Sequence, residues 1–96
     1  MNRNSKRWAA GVLDTCMIHW VSFVGENEED INPEEPGWSP YSSMAFRFTD
    51  KEKAKRSARA LSERFNLKKE PDVKLILVPE EDIHKTVKER GIEFFE

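Results

Sequence analysis

Three side chains could begin a nucleophilic or metal-binding site: Cys16, His19 and His84. Nucleophilic catalysis needs a nucleophile, a base and an orienting group in contact. Cys16 with either histidine supplies two of those parts, but no local motif surrounds the pair. A structural zinc needs four ligands, and Cys16 and His19, three apart on a predicted strand, face opposite sides of it. The simple reading makes Cys16 a small core residue and His19 a strand residue with a satisfied ring. Gly11, Gly25, Gly37 and Gly91 are scattered, so no glycine-rich loop exists to cradle a phosphate. Solvated carboxylates make poor general acids near neutral pH. The expectation is a protein with no catalytic residues, no metal and no cofactor.

Charge is the more informative property. The net charge of −2 conceals a segregation of sign. Glu26, Glu28, Glu29, Asp30, Glu34 and Glu35 form an acidic run without a base. Between Lys51 and Lys69 stand eight bases against Glu52 and Glu63. The acidic run continues into Pro36-Gly37-Trp38-Ser39-Pro40-Tyr41. Proline lowers the entropy cost of ordering such a loop, and Trp and Tyr dominate interface hot spots. Glu28, Glu29, Asp30, Glu34 and Glu35 are therefore expected to supply charge toward a protein partner with a basic surface, with Trp38 and Tyr41 as anchors. The alternative is a nucleic-acid surface made by Lys51, Lys55, Arg56 and Arg59 along one flank of a helix. No aromatic residue interleaves with those bases on the exposed face to offer a stacking platform.

Both features depend on the elements that carry them. Residues 1–7 are polar and basic and read as a flexible arm. Trp8 to Leu13 fits either a short helix or the start of a strand. Cys16 to Val24 is rich in β-branched and aromatic residues and reads as a central strand. Residues 25–43 hold Pro33, Pro36 and Pro40 and read as a long acidic loop. Met44, Phe46 and Phe48 alternate with Ala45 and Arg47, which predicts a half-buried strand. Thr49-Asp50-Lys51-Glu52 has the pattern of a capping box. Ala54, Ala58, Leu61 and Phe65 then fall on one stripe of a helix ending near Asn66. Val73 to Val78 reads as a strand stopped by Pro79. Glu80, Glu81 and Asp82 would open a second, short helix carrying Ile83 and Val87 and ending at Gly91. Ile92, Phe94 and Phe95 could add a last strand or a packed tail.

The 96 residues allow one domain and one core. The predicted class is α+β: a small three- to four-stranded mixed or antiparallel sheet with one long and one short helix packed on one face. Asp14 and His19 interrupt the apolar stretch after Arg3, Lys6 and Arg7, which disfavours a signal peptide. Trp8 to Val24 is too short and polar to span a membrane. A single cysteine fits a reducing compartment. The expectation is a cytoplasmic monomer or homodimer.

Phe46-Arg47-Phe48-Thr49-Asp50, followed by Ala54, Ala58 and Leu61 and then by Val73 to Val78, resembles an arrangement common in small phage-encoded accessory proteins. The resemblance spans about residues 44–78 and carries no functional residue across. It implies a protein that binds and inhibits host machinery, such as a nucleic-acid-handling or defence complex, through charged surfaces.

Overall fold

The computed structural model describes residues 6–14, 17–64, 73–83 and 91–95. Strand β1 (Trp8–Leu13) occupies the middle of a five-stranded sheet. Its neighbours are β2 (Ile18–Ser22) and β4 (Lys74–Pro79), and β3 (Gly37–Ser39) and β5 (Glu93–Phe95) form the two edges. Every pairing is antiparallel, in the order β3-β2-β1-β4-β5. Helix α1 (Lys51–Arg64) is the one α-helix among the described residues. The predicted α+β class therefore stands. The sheet has five strands rather than three or four, and contains no parallel pair.

The ambiguity over Trp8 to Leu13 resolves into the most central strand because its residues are small. Ala10 leaves room for α1 over one face of the strand, Ala9 for the apolar layer on the other, and Gly11 for the close approach of β2. A Cβ on Gly11 would sit 2.8 Å from the His19 carbonyl oxygen and 3.1 Å from Ile18 Cγ2. Alternation along each strand then sorts the core into two layers. Ala10, Val12, Val21 and Leu77 face α1 and meet Ala54, Ala58 and Leu61, all fully buried or nearly so. Ala9, Ile18, Trp20, Ile76 and Val78 form the other layer, which Ile83 and Ile92 help to cover. Both faces of the sheet are thus buried, not one.

The predicted second helix is represented by a single 3-10 turn, Glu80–Asp82, after which Ile83 packs into the core. Val87 and the rest of that predicted helix lie outside the described residues, as do Cys16, Phe65 and Asn66. The predicted strand at Met44–Phe48 is not one. Ser42–Met44 form a 3-10 turn, and Phe48 makes one isolated bridge to Trp8, with both N–H···O distances 2.8 Å. The pairing has one free place to go: β2 ends at Ser22, leaving that side of Trp8 open. Alternation here serves an aromatic cluster instead. Phe46 packs edge-on against Phe48 and Phe23, with ring centroids 4.9 and 5.3 Å apart.

Residues 25–43, the long acidic segment, contain short elements of their own. Gly25 takes φ 76°, the left-handed conformation that turns the chain out of β2. Glu28–Asp30 form a 3-10 turn, Ile31 and Pro36 are buried, and Gly37–Ser39 pair with β2.

Candidate interaction surface

The acidic segment docks on the helix that carries the bases. Asp50, not Thr49, caps α1: its Oδ1 accepts from the N–H groups of Glu52 and Lys53 at 2.9 and 3.3 Å. The Thr49 groups go to a distant partner. The Glu28 carboxylate accepts from the Thr49 N–H at 2.9 Å, the Thr49 hydroxyl at 2.8 Å and the Asp50 N–H at 3.1 Å. A carboxylate here also sits favourably at the positive end of the helix dipole. Farther along, the Arg56 guanidinium meets the Glu34 carboxylate at 3.0 Å, and Arg64 donates to the Pro36 carbonyl at 2.7 Å. Between loop and helix lies an open groove of about 860 Å³, lined by Glu34, Glu35, Arg56, Arg59 and Glu63 among others. Three tethers thus join the two charged stretches within one chain.

Three further bases of α1, Lys51, Lys55 and Arg59, are occupied as well. Lys51 and Lys55 each lie 3.4 Å from a Glu93 carboxylate oxygen. Lys51 stands over the Trp8 ring at 5.5 Å, and Lys55 and Arg59 over the Phe95 ring at 5.6 and 5.5 Å. Burial raises the Glu93 carboxyl, but the hydrogen bonds and charge of the two lysines outweigh it and hold it below the ordinary glutamate value. Lys51, Lys55, Arg56 and Arg59, the four residues proposed to meet phosphates, all have partners in the fold.

The residues proposed to meet a protein divide into two groups. Glu28 and Glu34 are committed to α1. Glu29, Asp30 and Glu35 are exposed and make no ion pair among the described residues. Trp38 is 38% exposed on β3, its ring 4.8 Å from that of His19, and Tyr41 is 68% exposed.

Sequence reasoning missed Val24 and Met44, exposed by 72% and 43%. They share a groove of about 540 Å³ with Phe23, Phe46, Glu26 and Glu29. Val24 reads as the end of a strand and Met44 as the start of one, so both look like core in the sequence. Only the early end of β2 and the turn at Ser42–Met44 turn them outward.

Catalytic candidates gain little. His19 Nε2 lies 2.7 Å from Asp14 Oδ2, beside the β1–β2 turn, where Asp14 Oδ1 also accepts the Met17 N–H at 2.8 Å. That pair tightens a hairpin. Among the described residues no group of three His, Cys, Asp or Glu side chains could hold a metal ion, and no helix is long and apolar enough to cross a membrane. No family model, curated protein or solved structure matches the chain.

Proposed function

We propose that this chain is a non-enzymatic protein-binding module whose docking face is the outward side of residues 24–44. The observation that carries this reading is order combined with exposure. Ile31, Pro36 and the Glu28 cap already fix the segment, while Glu29, Asp30, Glu35, Trp38 and Tyr41 remain exposed. A surface ordered before contact loses little entropy on binding, and aromatic anchors supply apolar area at low rotamer cost. The acids favour a partner with a basic surface. Host nucleic-acid-handling and defence complexes carry such surfaces, which makes a phage-type inhibitor the specific form of the proposal.

The nucleic-acid reading has weaker support, because Lys51, Lys55, Arg56 and Arg59 are engaged with Glu34, Glu93 and aromatic rings. The discriminating experiment is a pair of variants, Glu29→Lys/Asp30→Lys/Glu35→Lys and Trp38→Ala/Tyr41→Ala, used as bait in a bacterial lysate beside the unaltered chain. A partner retained by the unaltered chain and lost by both variants, with far-UV circular dichroism unchanged, supports the proposal. A partner retained equally by all three baits refutes it.

A further inference from the structure

The groove beneath Val24 and Met44 has the chemistry of a site for one short stretch of that partner. Its large apolar lining groups are Phe23 and Phe46, packed edge-on against each other, and the exposed side chains of Val24 and Met44. Its volume of about 540 Å³ falls within the range of about 300–1,000 Å³ usual for sites that bury a bound group. An exposed valine and methionine cost free energy in water, and an aliphatic side chain seated against them would remove part of that cost.

The rim decides what flanks that side chain. Glu26, Glu28 and Glu29 line it, and so do Arg7 and Arg47. Two of these charges are already spent. Glu28 holds the start of α1, and the Arg47 guanidinium is held by Glu80 at 3.3 Å and by the Ala45 carbonyl. Glu26, Glu29 and Arg7 make no ion pair among the described residues, so two carboxylates stand against one guanidinium and the balance of charge left to attract is acidic. Arg7 disfavours a second base in the bound segment.

We infer that this groove binds a peptide segment in which an aliphatic residue is flanked on one side by lysine or arginine, the aliphatic group entering between Val24 and Met44 and the cation meeting Glu26 and Glu29. The inference rests on the protein-binding reading and gives that partner a local sequence chemistry. An anionic lipid surface is the wrong occupant, because Glu26 and Glu29 would repel it.

A random peptide library displayed on phage and panned against the full chain tests this directly. The expected result is enrichment of peptides with a base beside Leu, Ile, Val or Met. Binding of those peptides should fall about tenfold or more with Val24→Asp/Met44→Asp and with Glu26→Lys/Glu29→Lys, and persist with Trp38→Ala/Tyr41→Ala. All four groove substitutions sit at exposed positions, so the two variants test the groove by independent routes without opening the core. Enriched peptides that lack a base, or that keep their affinity for both groove variants, overturn the inference. So does the absence of any enrichment. Peptides lost only with Trp38→Ala/Tyr41→Ala also overturn it, while leaving the broader protein-binding reading in place.

Discussion

Both sides of residues 24–44 carry glutamates, but only the inward ones are bonded into the fold. The inward side spends its charge on the fold: Glu28 on the start of α1, Glu34 on Arg56, and the Pro36 carbonyl on Arg64. The outward side carries Val24, Glu26, Glu29, Tyr41 and Met44 into solvent. In the linear sequence the acids form one block, and the bases of the helix form another. Folded, the blocks meet, and much of their segregation is consumed in joining an irregular segment to a helix. Charge clustering by sign therefore reports on contact before it reports on an outside partner. What remains exposed without an ion pair among the described residues is the subset of the acids that the helix does not reach.

The largest expected effect is at Glu28, which holds the two sides together. Replacing it with alanine leaves the Thr49 N–H, the Thr49 hydroxyl and the Asp50 N–H without their acceptor. The expected loss is about 1–2 kcal/mol of folding stability, the scale of a lost cap with charge-assisted bonds. Glu29→Ala, one residue away and exposed, should change stability by less than about 0.5 kcal/mol. Urea denaturation of both variants measures the contrast. Equal losses would mean that the inward and outward acids do not differ in role.

The middle effect concerns Arg56 and Glu34, a half-exposed pair whose worth should lie between 0 and about 1 kcal/mol. A double-mutant cycle with Arg56→Ala and Glu34→Ala isolates it, and the coupling should shrink when salt is raised. A coupling well above that range would make the ion pair, rather than Ile31 and Pro36, the main anchor of the segment.

Local sequence pattern located what local physics determines. The stripe Ala54, Ala58, Leu61 gave the buried face of α1, because helical periodicity needs nothing beyond the helix itself. The start was misassigned in its chemistry: the Thr49 pattern is local, but its acceptor, Glu28, lies twenty-one residues away. Trp8 to Leu13 could not be typed because a strand buried on both faces shows no alternation, and its small residues are explained only by neighbours yet unknown. Met44 to Phe48 alternated like a strand because Phe46 and Phe48 both turn into an aromatic cluster, while β2 was too short to accept a full pairing. The same long-range dependence hid the site. The acids and aromatics of 28–41 were legible by type, but which of them α1 would take, and that Val24 and Met44 would lie bare, required the fold.

The smallest effect bears on whether the basic side of α1 is silenced in the same way as the acidic side of the loop. Glu93 sits on an edge strand, and its two lysine partners hold its carboxyl below the ordinary value against the opposing effect of burial. A carboxyl depressed in the folded state binds its proton more weakly there than in the unfolded chain. It therefore adds stability above the unfolded glutamate value, near about 4.3, and that contribution is lost as pH falls through the lower folded value. Glu93→Gln should be slightly less stable than the unaltered chain at pH 7, and the gap should narrow as pH falls below the unfolded glutamate value toward about pH 3. Glu93 is nearly half exposed, so solvent screens the interaction and the gap should stay below about 1 kcal/mol. Thermal melts of both proteins across that range, at low and at high salt, measure it. A gap that persists unchanged at pH 3 would assign the effect of Glu93 to packing beside Phe95 rather than to charge. Lys51 and Lys55 would then be held only by the Trp8 and Phe95 rings, and more of the basic helix face would be available to an outside anion than its ion pairs suggest.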